Sequence, residues 1–231
     1  MQCPGPIMEL KKHYDNLLVG DRLTIKVTDQ AFGQDLNAWC KVVGAKLLSI
    51  ENSGGVITAS IEKQETRTSC HIGTGSDTKT LIVFSDDLDK ALATFVIANG
   101  ILATGKKISI FFTFWGLSVI KKTGKPKVKK DVISKMFGLM LPSDSRKLGL
   151  SKINMGGAGS TMMRYVMKNK NIDSLEKLMR QAIEGGAELI ACSMSMDVMG
   201  IKKEELVDGV TIGGVASYLE RADKSNLNLF I

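Results

Sequence analysis

The chain has 231 residues, 44% of them hydrophobic, enough to bury one large core or two modest ones. Its 31 lysines and arginines against 24 acidic residues leave a net charge of +7, which suits acidic partners, but no long arginine-rich tract gathers that excess. Four scattered cysteines without a C-x-x-C pair, and only two histidines, exclude a disulfide framework or zinc ribbon, and the longest apolar run, Ile108 to Ile120, is too short to span a bilayer. No metal or other cofactor and no transmembrane segment are expected, and a reducing, cytoplasmic setting follows as the default.

At the front stands Cys3-Pro4-Gly5-Pro6, running into Ile7-Met8-Glu9-Leu10-Lys11-Lys12. A thiol at the N-cap of a helix sits among unpaired N–H groups and a positive dipole end, both of which favour thiolate. Both prolines lie where a helix has orphan N–H groups anyway, and Gly5 keeps the surface near the sulfur bare. Cysteine also serves as a small buried hydrophobe; the full four-residue signature points instead to a thiol that is used. Ile7, Leu10, Tyr14, Leu17 and Leu18 make one helical stripe.

Arg22 to Thr28 then alternates as a strand, Ala31 to Val43 reads as a second helix, and Lys46–Glu51 with Val56–Ile61 form a hairpin across Asn52–Gly55. Residues 1–63 are thus a small α+β module, and 64–77, polar and without periodicity, a linker.

The second unit, 78–231, opens on Thr80-Leu-Ile-Val-Phe-Ser85, a continuous apolar run typical of a strand covered on both faces. Asp86-Asp87 starts a long helix to about Ala103, and Lys107–Thr113 is the next strand. Further strands are expected at Glu188–Cys192, Val210–Ile212 and Leu227–Ile231, with helices near 131–139, 160–169, 173–184 and 213–223. Alternating strands and helices predict a doubly wound, mostly parallel five-stranded sheet with helices on both faces.

Chemistry in such sheets gathers beyond the carboxyl ends of the strands. Cys192 lies at one such end, before Ser193-Met-Ser-Met-Asp197. Residue type alone reads it as a buried structural thiol; its location makes it a candidate, with N–H groups from Ser193 onward available to a thiolate or persulfide if the sulfur faces the crevice. Other signals are weaker. Gly100 to Lys107 imitates a phosphate loop but leads from helix into strand, the wrong order. Asn154 to Ser160 could place backbone donors near an anion or simply begin a helix. Lys121 to Lys130, without interleaved aromatics, is a solvated basic loop rather than a specific nucleic-acid site. Met136–Pro142 and Met194, Met196 and Met199 suit core or subunit contact; Cys40, beside Trp39, suits packing, and Cys70 in the linker is incidental.

Both halves resemble known families. Cys3-Pro-Gly-Pro6, Val27-Thr-Asp29, Ala38-Trp39-Cys40 and Gly44-Ala-Lys-Leu-Leu48 resemble the TusA (SirA-like) sulfur carriers. Phe111-Phe-Thr-Phe-Trp-Gly-Leu117, Asn154-Met-Gly-Gly157, Cys192 to Gly200 and Gly213-Gly-Val-Ala216 resemble the DsrE/DsrF/DsrH-like family. The resemblance implies sulfur handling: Cys3 matches the carrier thiol that holds a persulfide sulfur, and Cys192 the cysteine that receives or passes it. It further implies homo-oligomers and sulfur donor and acceptor partners of the rhodanese-like or cysteine desulfurase type. The carriers have a strand ahead of their cysteine motif, whereas two residues precede Cys3. The module is therefore expected without its first strand, and the pair resembles the C-terminal end of some coenzyme A-disulfide reductase fusions, with a flavoprotein ahead of it. A ligand- or nucleotide-binding role for the larger unit is the other reading.

Overall fold

A computed structural model describes residues 5–28, 32–65, 77–124 and 141–231. Cys3, Cys70, most of the 64–77 segment, Lys125 to Lys130, the helix expected over 131–139 and Met136 to Met140 lie outside the described residues.

The first unit is two helices on a three-stranded antiparallel sheet. Its elements are α1 (Gly5–Asp15), β1 (Arg22–Val27), α2 (Phe32–Val43), β2 (Lys46–Ser53) and β3 (Val56–Glu62), with strand order β1-β3-β2. Ile7, Leu10 and Tyr14 turn inward from α1 and meet Phe32, Leu36 and Trp39 of α2 over Ile57, Ala59 and Ile61 of β3. Alternate residues of β3 are buried, as a strand with one covered face requires. The β2–β3 turn is Gly54-Gly55, with φ of 59° and 80°, the primed geometry that only glycine adopts cheaply in both positions. Leu18 does not join the α1 stripe: the helix stops at Asp15, and Leu18 is exposed in a turn whose N–H donates to Asp21 Oδ2. Lys63 closes that helix end, its Nζ donating to the carbonyls of Tyr14, Asp15 and Leu17 (at 2.8 Å to Leu17) while lying over the Tyr14 ring. Tyr14 O also accepts from Leu17 N–H at 3.1 Å, so the lysine adds a charged donor to carbonyls at and just beyond the helix end.

The second unit carries β4 (Thr78–Val83), α3 (Leu88–Ala103), β5 (Lys107–Phe112), α4 (Ala158–Asn169), α5 (Leu175–Glu184), β6 (Glu188–Cys192), α6 (Ser193–Met199), β7 (Thr211–Gly213), α7 (Val215–Asp223) and β8 (Ser225–Phe230). The five strands are parallel, in the order β7-β6-β5-β4-β8. Leu81, Val83, Ile110, Phe112, Leu189 and Ala191 point to one face, where α3 and α5 bury Phe95, Leu102, Leu178 and Ala182 against them. Ile82, Phe111, Ile190 and Cys192 point to the other face, which α7 covers. Helices on both faces of a five-stranded parallel sheet are the expected architecture.

After β5 the chain forms a 3-10 turn over Phe114–Ile120, a stretch to which the sequence assigned no element. It crosses the end of β4 so closely that Gly116 N–H donates to Phe84 O at 2.8 Å and a Cβ on Gly116 would stand 2.1 Å from Val83 O. The two units also touch: Trp39 Nε1 donates to Ala103 O at 2.5 Å, and Ala103 belongs to the core of the small unit.

Since a methyl at 116 has no room beside backbone, Gly116→Ala is expected to destabilise the larger unit by about 2 kcal/mol or more, read from the midpoint of chemical denaturation.

Candidate functional site

Strand β6 sets the site. It lies inside the sheet, between β5 and β7, and its period of two sends Leu189 and Ala191 into the main core and Glu188, Ile190 and Cys192 to the α7 face. Cys192 ends the strand, pairs in register with Gly213 and caps α6, whose first residue is Ser193. Its side chain makes no capping hydrogen bond. The helix therefore begins at once after the cysteine, with the backbone N–H groups of its first turn unpaired within it.

The thiol does not open into the crevice. Cys192 is 5% exposed and packs with Phe111 and Ile190, with Ile82 and Tyr218 lying against that cluster. Tyr218 stands on α7, its ring 5.5 Å from that of Phe111. Alternation dictates this: Cys192 must share a face with Ile190, and that face is covered.

The cover is thin. No residue of α7 is buried; Val215 is 66% exposed and Leu219 50%. Besides Tyr218, Arg221 ties α7 to the sheet: its Nε donates to Glu188 Oε2 at 2.6 Å, its Nη2 pairs with Oε1 of the same carboxylate, and Ser109 Oγ donates to Oε2 at 2.8 Å. The Arg221 guanidinium holds the Glu188 carboxyl below the ordinary glutamate value. The pair thus contributes stability above that ordinary value and loses it as pH falls through the lowered one. At the start of α7, Gly213 allows close approach: a Cβ there would meet Ile190 Cγ2 at 2.9 Å and Ser217 Cβ at 3.1 Å.

Around the carboxyl ends, Thr113 Oγ1 and Ser195 Oγ are 2.8 Å apart and tie β5 to α6. Met196 and Met199 are core, whereas Met194 and Val198 are exposed on the outer side of α6. Burial pushes the Asp86 carboxyl, beyond β4, upward.

The remaining cysteine described here is not a nucleophile: Cys40 is buried in the small core, and burial pushes its thiol up to about 11. Asn154 to Ser160 spends its residues on its own turn. Gly156 and Gly157 have φ of 67° and 99°, a Cβ on Gly159 would strike Ile153 O at 2.0 Å, and Asn154 Oδ1 accepts from Leu150 N–H. Gly100 to Lys107 runs from α3 into β5, so it builds no phosphate loop. Among the described residues no group of three or more His, Cys, Asp or Glu side chains could hold a metal ion, and no helix is long and apolar enough to cross a membrane. Sequence reasoning had assigned nothing to Glu188, Tyr218 or Arg221. The period of two could have placed Glu188 on the thiol's face; nothing local places Tyr218 or Arg221.

Residues 76–230 match the DsrE/DsrF/DrsH-like family, and residues 1–63 match Sulfurtransferase TusA. The "Uncharacterized protein YrkE" of Bacillus subtilis is 44% identical over 152 residues, which cover 66% of this chain and 95% of that protein. The "Sulfur carrier protein DsrE2" of Allochromatium vinosum is 34% identical over 155 residues, 65% of this chain and 96% of its own. The "Sulfur carrier protein TusA" of Pseudomonas putida strain F1 is 31% identical over 64 residues, 28% of this chain and 80% of its own.

With Cys3 and Cys70 replaced by Ser, Tyr218→Ala is expected to speed alkylation of Cys192 in the native protein by about fivefold or more, with Cys40 left unmodified. Peptide mass mapping after timed quenching reads both thiols; an unchanged Cys192 rate would mean that Tyr218 does not guard it.

Proposed function

Because this chain belongs to the DsrE/DsrF/DrsH-like family and carries a TusA segment ahead of that unit, we propose that it is a sulfur-relay protein working through Cys3 and Cys192. The observation that carries the reading is the joining of two sulfur-handling segments in one chain, the second with its cysteine at the carboxyl end of an internal parallel strand.

Cys3 as thiolate attacks the outer sulfur of a donor persulfide; the donor thiolate leaves, and Cys3 becomes the persulfide. Cys192 thiolate then attacks that outer sulfur, the bond to Cys3 breaks, and Cys3 returns as thiolate. Each step is thiol–disulfide exchange with no net change in oxidation, so it calls for no metal or redox cofactor. Release of Cys192 into reaction needs the cluster that Tyr218 packs against to open; α7 has no buried residue, so what holds it there is chiefly Tyr218 and the Arg221–Glu188 pair. The protein partners on this reading are sulfur donors and acceptors, the donor of rhodanese-like or cysteine desulfurase type, in a cytoplasmic setting. Homo-oligomers are part of the same reading, as the family resemblance implies.

Intact mass after exposure to a low-molecular-weight persulfide tests it. The wild-type chain is expected to gain sulfur, Cys3→Ser to lose that loading, and Cys192→Ser to keep sulfur on Cys3 without passing it on. Equal loading of Cys3→Ser would remove Cys3 as the carrier.

A further inference from the structure

The small unit is seated at the wrong place for a transfer within its own chain. Trp39 Nε1 is hydrogen-bonded to Ala103 O, and Gly5 and Met8 of α1 share a groove with Leu102 and Gly185. Ala103 ends α3 and precedes β5; Gly185 precedes β6. Both therefore mark the amino ends of the strands, on the face that α3 and α5 cover. Cys192 is opposite in both respects: it lies at the carboxyl end of β6, with its side chain on the α7 face.

The length of the strand separates the two ends. Glu188 to Cys192 is four strand steps, about 13 Å along the sheet. Cys3 is two residues from Gly5, and two residues of chain reach at most about 7 Å. The sheet itself stands between the two faces. Leaving the seat would break the Trp39–Ala103 hydrogen bond and take Ala103 out of the small unit's core.

We propose that sulfur passes between copies: the loaded small unit of one chain delivers to Cys192 of a second chain, while each small unit stays docked on its own. This rests on the relay reading above. The receiving surface is the apolar one beside Cys192, where Met194 and Val198 of α6, Ile212 of β7 and Val215 and Leu219 of α7 are exposed. The chemistry is the exchange already written, with the two sulfurs on different chains: the new bond forms to Cys192 Sγ, the bond to Cys3 Sγ breaks, and Cys3 of the donor copy leaves as thiolate with the electron pair.

Two full-length variants, both with Cys70→Ser, test it. A Cys192→Ser chain is loaded with sulfur by a low-molecular-weight persulfide, freed of excess, and mixed with an isotopically heavy Cys3→Ser chain; alkylation and peptide masses locate the sulfur with time. Sulfur is expected to reach Cys192 of the heavy chain at a rate that rises with its concentration and stays within a few-fold of transfer by the unaltered chain at equal concentration. A tethered route within one chain works at an effective concentration of about a millimolar, so at micromolar protein it would outrun the mixed pair by about a hundredfold or more. At a protein concentration where the chains are shown to be monomers, concentration-independent transfer in the unaltered chain, with that excess over the mixed pair, would overturn the inference and leave the relay standing. No arrival at Cys192 in the unaltered chain would remove the relay and this inference with it.

Discussion

A strand inside a parallel sheet sends successive side chains to opposite faces, and in β6 that alternation decides what Cys192 can do. Leu189 and Ala191 complete the main core, so Glu188, Ile190 and Cys192 must share the other face. Among the described residues α7 covers it, and the three residues meet that helix in different ways. Ile190 and Cys192 pack among Phe111, Ile82 and Tyr218, while Glu188, at the amino end, holds Arg221. One register therefore places the thiol in the cluster that Tyr218 packs against and ties the helix of Tyr218 down through a carboxylate four residues earlier. A shift of one residue would exchange the two faces and drive the carboxylate into the core.

Much of this was legible in the chain because the larger unit spells its strands as apolar runs between breakers. Thr80–Ser85, Lys107–Thr113 and Glu188–Cys192 match β4, β5 and β6 to within about two residues. The turn at Phe114–Ile120 was not legible: its sequence is as apolar as the strand before it, and it is made by Phe114 in the left-handed region (φ 48°) and by Gly116 under the Val83 carbonyl. The same limit applied to the thiol. Its place at a strand end could be read; the side it faces depends on which face the helices cover. The seat of the small unit was also hidden, because Trp39 docks on a backbone carbonyl, which has no side-chain signature.

The small unit shows how few contacts fix a two-layer module. Its core draws on one face of each helix and alternate residues of β3, and Lys63, the residue just beyond β3, reaches back to carbonyls at and just past the end of α1. That end of α1 is thus anchored by the last strand, while its other end carries the cysteine motif. Cys40 illustrates the contrast between a packed and a usable thiol: enclosed beside Trp39, with burial raising it to about 11, it stays protonated at any physiological pH.

On the proposed relay, one sulfur atom visits both Cys3 and Cys192. The most direct measurement loads Cys3 with isotopically labelled sulfane sulfur, supplies a thiol acceptor and quenches at successive times for peptide mass analysis. Label is expected to leave the Cys3 peptide as it rises on the Cys192 peptide, and to reach the acceptor only afterwards. Label that passes to the acceptor without ever accumulating on Cys192, at a rate unchanged by Cys192→Ser, would contradict it.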